Sequence, residues 1–136
     1  MPIDYKKYCQ DWKLRSRFIR FFRAKNKCEC CGVPNKKMIL RGHFDGIEVY
    51  QDIEGAIFRA DNSEYLTHRY IGEVDKEVKN NFIKVVLTVA HLDHDINNNS
   101  FFNLKAMCQK CHNNYDKEHR KATRRKKKNQ LVLAFN

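Results

Sequence analysis

Two cysteine pairs, far apart in the chain, constrain this sequence more than any other feature. Cys28 and Cys31 are separated by two residues, and Gly32 follows them directly. Cys108 and Cys111 repeat the spacing near the other end of the chain. Because each short turn directs two thiolates at one point, two such pairs can surround a Zn²⁺ ion tetrahedrally. The spacing predicts a structural zinc site that ties the N-terminal region to the C-terminal region.

The other two of the six cysteines do not fit this spacing. Cys30 is an alternative ligand to Cys31. Only Cys31, however, leaves a two-residue gap from Cys28, and the Gly32 after it permits a tight turn. We therefore predict that Cys30 is not a ligand and that Cys9 is a packing thiol. Two redox-active pairs would need a surrounding βαβ pattern, which the sequence lacks.

The sequence carries no signal for export or membrane insertion. It has no run of about 20 apolar residues, and its first residues lack the apolar core of a signal peptide. We expect a cytoplasmic protein with no membrane partner. Thiols in that compartment stay reduced, which favours metal binding over three disulfides.

Positive charge is concentrated in one segment. The formal net charge is +11, and residues 117–128 hold eight Lys or Arg side chains against the single Glu118. Such a run binds phosphates without reading sequence, so we expect it to contact nucleic acid. Charge alone also fits an anionic membrane, a ribosomal surface or simple solubility. The cationic residues are Lys117, Arg120, Lys121, Arg124, Arg125, Lys126, Lys127 and Lys128.

An amphipathic helix is predicted near the N-terminus, from residue 11 to residue 25. The apolar residues Leu14, Phe18, Ile19 and Phe22 recur at intervals of three or four, and basic residues fall largely elsewhere. This stripe predicts a face that packs on the core. The opposite, cationic face is expected to contact solvent or nucleic acid.

Residues 38–80 predict a β-hairpin that turns near Gly55. His43 and His68 in this segment are isolated, and we expect them to be surface or packing residues rather than ligands. The apolar run 83–90 is rich in β-branched residues and predicts one buried strand, with His91 just past its end. A polar loop, a short apolar segment at 101–107 and a second helix from about Gln109 follow.

Three short motifs in the second half of the chain carry the most specific signal. Residues 90–95 read Ala-His-Leu-Asp-His-Asp, residues 103–104 read Asn-Leu, and residues 108–112 read Cys-Gln-Lys-Cys-His. At these positions the chain resembles the HNH endonucleases of the zinc-containing branch. That branch pairs a Cys-x-x-Cys-Gly knuckle with a Cys-x-x-Cys-His knuckle, and the likeness covers residues 12–32 and 85–125.

The resemblance implies a ββα-metal core with a structural zinc site. With the N-terminal amphipathic helix and a hairpin-like insertion that has no counterpart in the family, the chain is expected to have an α+β fold. The resemblance also implies roles for three residues. His91 would be the general base that takes a proton from the attacking water. His112 would hold an exchangeable Mg²⁺ or Mn²⁺ ion, and Asn103 would brace the loop that carries the base. The expected substrate is DNA, most simply double-stranded, and the product would carry a 5′ phosphate.

One position departs from the family pattern. Family members commonly place Asp or His directly before the base as a second metal ligand, but Ala90 stands there and cannot coordinate an ion. His94 or Asp93 is expected to substitute, with Asp95 as a further alternative. A competing interpretation is that His94 and Asp93 only shape the loop. In either case we expect the rings of His91 and His112 to face a common phosphate.

The sequence predicts a single domain over residues 1–136. Its segments are the N-terminal helix and first zinc knuckle (1–37), the insertion (38–80), the ββα-metal core with the second knuckle (81–116) and the basic tail (117–136). A non-catalytic, zinc-stapled nucleic-acid-binding module with a degenerate HNH fold is the main alternative to a nuclease. A structural or assembly protein of a phage or mobile element is a third possibility. The apolar residues 131–135 could then dock as an edge strand or contact a partner, and a homodimer remains open.

Overall fold

The computed structural model describes residues 8–74 and 81–135 and combines helices with antiparallel sheets, which confirms the predicted α+β class. Helix α1 spans Trp12–Arg17 and continues as a π-helical segment, Phe18–Arg23. Helix α2 spans Gln109–Phe135, and a 3₁₀ turn lies at Phe101–Asn103. The strands are β1 (Met38–Phe44), β2 (Ile47–Asp52), β3 (Ala56–Arg59), β4 (Tyr65–His68), β5 (Ile83–Lys84), β6 (Thr88–His91) and β7 (Leu104–Met107).

The insertion supplies most of a five-stranded antiparallel sheet in the order β4-β3-β2-β1-β5. Strands β2 and β3 pair across a turn that contains Gly55, so the predicted hairpin is confirmed. A second hairpin joins β1 and β2 through Asp45 and Gly46, whose φ values are 53° and 77°. Two successive left-handed residues give the twist that a two-residue hairpin requires. His43 and His68 are exposed on this sheet.

Buried residues pack on both faces of the five-stranded sheet. Leu40 and Val49 pack on one face together with Val74. Ile39 and Tyr50 alternate with these positions and pack on the opposite face. The cluster on this opposite face joins the sheet to the cysteine region. Its buried members are Cys28, Cys31, Val33, Ile39, Tyr50, Val85, Leu87 and Cys108.

Strands β6 and β7 form a separate antiparallel pair, with Thr88 opposite Met107 and His91 opposite Leu104. Helix α2 follows at once, so the predicted order of strand, loop, strand and helix is present. The single strand predicted over residues 83–90 is wrong in extent. Its first part, β5, joins the large sheet, while β6 pairs with β7. His91 is the last residue of β6 rather than the residue after it.

The N-terminal helix turns a different face to the core from the one predicted. Ile19 is buried, but Leu14, Phe18 and Phe22 are exposed. The second buried residue is Trp12, seven positions before Ile19, and both pack on β7. The predicted stripe assumed α-helical periodicity, whereas residues 18–23 are π-helical. Three apolar side chains expected in the core therefore lie at the surface.

The basic tail belongs to helix α2, and its described side chains from residue 117 to residue 131 are exposed. The backbone of residues 131–135 is helical, so the edge strand considered for this segment is wrong. Sequence propensity explains the difference, because a long run of Lys, Arg and Gln continues the helix without a breaker. Within residues 8–74 and 81–135, no helix has the length and apolar character needed to span a bilayer.

Replacing Gly55 with alanine is expected to destabilise the sheet strongly. Gly55 has a φ of +95°, and a Cβ atom there would lie 2.5 Å from the backbone oxygen of Arg69. Left-handed strain and this overlap together should lower the free energy of unfolding by roughly 2–4 kcal/mol. Gly46→Ala is the matched control, because φ is +77° there but no atom lies within 4 Å of the added Cβ. Equal losses for the two variants in denaturant titrations would contradict the steric argument.

Candidate functional site

The four cysteines of the two pairs converge at one point, which confirms the predicted cluster. Their sulfur atoms all lie within 4.8 Å of one another, and the sulfurs of Cys31 and Cys108 are 3.8 Å apart. Zn–S bonds of about 2.3 Å would place the sulfurs of a tetrahedral site about 3.8 Å apart. Cys28, Cys31 and Cys108 are buried, and Cys111 is half-buried. The set can hold a metal ion such as zinc.

Hydrogen bonds within the cluster favour negative charge on the sulfurs of Cys28 and Cys108 and raise the pKa of the other two thiols, Cys31 and Cys111. The backbone N–H groups of Cys30 and Cys108 donate to the sulfur of Cys28 at 3.4 and 3.3 Å. Hydrogen bonds from neighbouring thiols, that of Cys108 first, lower the pKa of Cys28 far below its ordinary value. Cys111 acts in the same way on Cys108 and lowers its pKa to about 6. The thiolate, which these bonds stabilise, is the form that binds metals.

A half-buried cation next to the cluster fits a zinc centre. Nη2 of Arg41 lies 3.9 Å from the sulfur of Cys108, and its Nη1 is buried without a hydrogen-bond partner among the described residues. Four thiolates carry more negative charge than Zn²⁺ neutralises, so a guanidinium beside them is favourable. The donor set and its surroundings therefore fit a structural zinc ion.

The remaining cysteines lie outside this cluster. Cys30 is exposed, and it is absent from the four-sulfur group. Cys9 is half-buried against the core cluster that contains Trp12. Both placements agree with the roles predicted from the spacing.

A second polar cluster forms on helix α2, around a residue that the sequence reasoning missed. Oδ2 of Asp116 lies 3.2 Å from Nε2 of His112, and Oδ1 lies 3.5 Å from Nδ1 of His94. His112 and Asp116 are four residues apart, so they share one face of the helix. That spacing could have pointed to Asp116 in the sequence. The approach of His94 could not be read there, because it depends on the loop after β6.

The rings of both histidines are held in place. The hydroxyl of Thr88 lies 2.9 Å from Nδ1 of His112, which leaves Nε2 directed at Asp116. The ring of His94 stacks on His119, with centroids 3.8 Å apart, and on Tyr115 at 5.3 Å. A histidine oriented through one ring nitrogen in this way can offer the other nitrogen to an ion.

Asn103 and Asp93 organise the loop between β6 and β7. The side chain of Asn103 accepts a hydrogen bond from the backbone N–H of Asp93 and donates to the carboxylate of Asp93 and to the carbonyl of Asn98. Asn98, the N–H of Asp95 and Asn103 all donate to the Asp93 carboxylate, lowering its pKa to about 2. Both oxygens of Asp93 are thus bonded within the loop, while His94 faces α2.

His91 is buried on the other face of β6. Its ring stacks on Trp12 with centroids 4.8 Å apart, and its Nε2 lies 3.0 Å from Oδ1 of Asn99. Thr88, three positions earlier, contacts His112 instead. Because side chains alternate along a strand, the rings of His91 and His112 lie on opposite faces of β6, not side by side as expected.

A groove of about 550 Å³ lies beside β6 and is lined in part by His112. Residues 86–89 line one side of it, and the N-terminal helix lines the other. Trp12 lines the groove and also stacks on the ring of His91. The cationic lining side chains are Lys13, Arg17 and Arg20.

Comparisons with known proteins identify no relative of this chain. No family model, curated protein or solved structure matches the chain. The likeness to the HNH endonucleases therefore rests on the sequence motifs alone.

Proposed function

We propose that this chain is a metal-dependent endonuclease of the HNH type that hydrolyses phosphodiester bonds in DNA. One observation carries the proposal: Asp116 lies between His112 and His94, and His112 also lines a groove that carries three cationic side chains. The helix that presents two of these residues starts within the cysteine cluster, so a zinc ion there would fix its first turn. The structural ion and the catalytic ion would then be held by separate sets of ligands.

The cluster around Asp116 offers one carboxylate, which suits Mg²⁺ or Mn²⁺, and two imidazoles, which suit softer transition metals better. His112 offers Nε2 and Asp116 offers a carboxylate, while His94 takes the place left without a ligand by Ala90. The chemistry that bound Mg²⁺ or Mn²⁺ supplies is neutralisation of negative charge on the phosphate and on the leaving oxygen. Thr88 contributes by holding the His112 ring in one orientation.

His91 is the proposed general base. Nδ2 of Asn99 donates to the carbonyl of Ile96, so its Oδ1 is the atom that accepts from Nε2 of His91. A proton on Nε2 leaves the lone pair of the neutral ring on Nδ1. The ring lies on the face of β6 opposite His112, which counts against this assignment. Asn99 is a positioning residue in this scheme.

DNA binding is assigned to the groove and to the exposed cations of α2. Lys13, Arg17 and Arg20 line the groove beside His112, and the eight cations of residues 117–128 are exposed on one helix. Contacts of this kind hold phosphates and set the position of a duplex without reading its bases. Cleavage is therefore expected to depend strongly on salt and weakly on sequence.

A non-catalytic, zinc-stapled nucleic-acid-binding module is the second candidate. Two observations favour it: Ala90 offers no ligand, and His91 is only 8% exposed beneath Trp12. Such a module would need the cysteines and the cations. It would not need Asp116 between two imidazoles.

The two candidates are separated by a cleavage assay on plasmid DNA with Mg²⁺ or Mn²⁺. The zinc-loaded parent is expected to nick or cut the DNA. Asp116→Ala and His112→Ala should each reduce the rate by about a hundredfold or more, because a bound ion contributes several kcal/mol to the barrier. Nicked and linear products are quantified on gels over a metal titration.

His43→Ala serves as the control, because His43 is an exposed histidine on the large sheet. It should cut like the parent. A folded, zinc-loaded parent that cuts neither duplex DNA, single-stranded DNA nor RNA with any of the tested metals would contradict the nuclease proposal and favour the binding module.

A further inference from the structure

An exposed aromatic surface lies where the sequence predicts a buried stripe. Leu14, Phe18 and Phe22 follow one another at four-residue intervals along the N-terminal helix and are 69%, 45% and 75% exposed. Phe101 and Phe102 lie in the 3₁₀ turn before β7, and both are exposed. We call these five residues the aromatic face. An apolar patch of this kind on a chain with so much charge indicates a binding surface.

The rings of the aromatic face are ordered before any ligand binds. Phe18 stacks on Phe22 with centroids 5.1 Å apart, and it meets Phe101 at 5.5 Å with the ring planes tilted. The guanidinium of Arg15 lies over the ring of Phe101. Arg23 donates to the carbonyl of Phe101 at 2.7 Å, which ties the 3₁₀ turn to the helix. These contacts lower the entropy cost of stacking a further ring on the surface.

The charge around the aromatic face selects an anionic ligand. Residues 12–25 contain six Lys or Arg residues and no Asp or Glu. The acidic groups at the edges, Asp11 and Glu29, are each paired with an arginine, at 2.8 and 2.9 Å. Alternating aromatic and cationic side chains match the bases and phosphates of a nucleic-acid strand. A neutral apolar peptide would not match this excess of positive charge.

We propose that the aromatic face binds unpaired nucleotides, so that the substrate carries a single-stranded segment next to the cleavage site. The bases of a duplex are stacked inside it and cannot lie on Phe18, Phe22 or Phe101. An unpaired base exposes its whole ring face to such side chains. The placement of the strand next to a cleavage site rests on the proposed function. The binding of unpaired nucleotides to the aromatic face does not.

The aromatic face is connected to the proposed base. Nη1 of Arg15 donates to the carbonyl of Asn99 at 2.9 Å, and the side chain of Asn99 bonds His91. Lys13, Arg17 and Arg20 of the same helix line the groove that His112 also lines. A strand stacked on the aromatic face would therefore lie one helix away from this groove.

The test compares oligonucleotide binding by fluorescence anisotropy, without added divalent metal so that no strand is cut. The probes are a labelled single-stranded oligo(dT) and a duplex of the same length. The variant is Phe18→Ala with Phe22→Ala, and the control is Tyr70→Ala, since Tyr70 is an 86% exposed aromatic residue that lies outside this face, two positions after the end of β4. We expect the double variant to lose roughly five- to hundredfold in affinity for oligo(dT) per stacked base, with little change for the duplex.

The salt dependence distinguishes stacking from a general loss of structure. No charge is removed, so the slope of log affinity against log salt should match that of the parent. Two results would overturn the inference. One is an unchanged affinity of the double variant for oligo(dT), and the other is an equal loss of affinity for oligo(dT) and the duplex at an unchanged melting temperature. A protein would then be the partner of this surface. Selective loss of oligo(dT) binding by a chain that never cuts DNA would support the inference while the nuclease proposal failed.

Discussion

Replacing Cys108 with serine is expected to unfold the chain at room temperature. Cys108 is completely buried, and its sulfur contacts thiols from the other cysteine pair and the guanidinium of Arg41. A structural zinc site contributes on the order of 10 kcal/mol, which is comparable to the whole stability of a small domain. Circular dichroism should show loss of the cooperative thermal transition, and elemental analysis should fall from about one zinc per chain to none.

Cys30→Ser is the matched control for this prediction. Cys30 lies between two of the proposed ligands, but it is exposed and outside the four-sulfur cluster. Its substitution should change the melting temperature little and leave the zinc content unchanged. Parent protein that contains no zinc, or a Cys108→Ser variant that melts like the parent, would contradict the proposed metal staple.

Local spacing explains why the metal cluster could be predicted from the sequence. Two residues between cysteines fix the direction of both sulfurs within one turn, whatever the rest of the chain does. The same holds for Asn103, whose contacts lie within one loop. Asp116 is the opposite case. Acidic residues four positions from a histidine are common on solvated helices, and only the tertiary position of His94 gives this one a second imidazole partner.

The fold was predictable where the residues of one element determine its structure. It was not predictable where a strand could join either of two sheets. The hairpin at Gly55 and the order of β6, β7 and α2 follow from turn signals and periodicity. The run 83–90 contains β-branched residues throughout, but propensity does not say which sheet each part joins. The sequence also holds an Asp-Gly pair at residues 45–46, a hairpin signal that predicts the turn between β1 and β2.

The N-terminal helix shows how periodicity can select the wrong face. The interval from Phe18 to Phe22 fits an α-helical stripe, but the backbone there is π-helical, with the N–H of Ala24 bonded to the carbonyl of Ile19. Burial is decided by Trp12 and Ile19, which pack on Leu104 and Ala106 of β7. A π-helical segment is rare and often marks a functional site. Two of its aromatic residues, Phe18 and Phe22, belong to the surface proposed to bind nucleic acid.

Replacing His91 with alanine is expected to reduce DNA cleavage by about 10²–10⁴-fold, the usual contribution of a general base. The ring is 8% exposed and stacked on Trp12, so its removal also leaves a space in the core beside that residue. Some loss of stability is therefore expected as well. Rates should be compared below the melting transition of the variant, with zinc content and DNA affinity measured on the same samples.

Added imidazole separates the chemical role of His91 from its packing role. The space left by the side chain is bounded by Trp12 and by the amide of Asn99, which accepts a hydrogen bond from the ring in the parent. Imidazole bound there can make the same bond and present its second nitrogen to water, so it should restore part of the cleavage rate in His91→Ala without affecting Asp116→Ala. A His91→Ala variant that cuts as fast as the parent would show that His91 is only a core residue, and the base would then have to be sought around His94, beside Asp116.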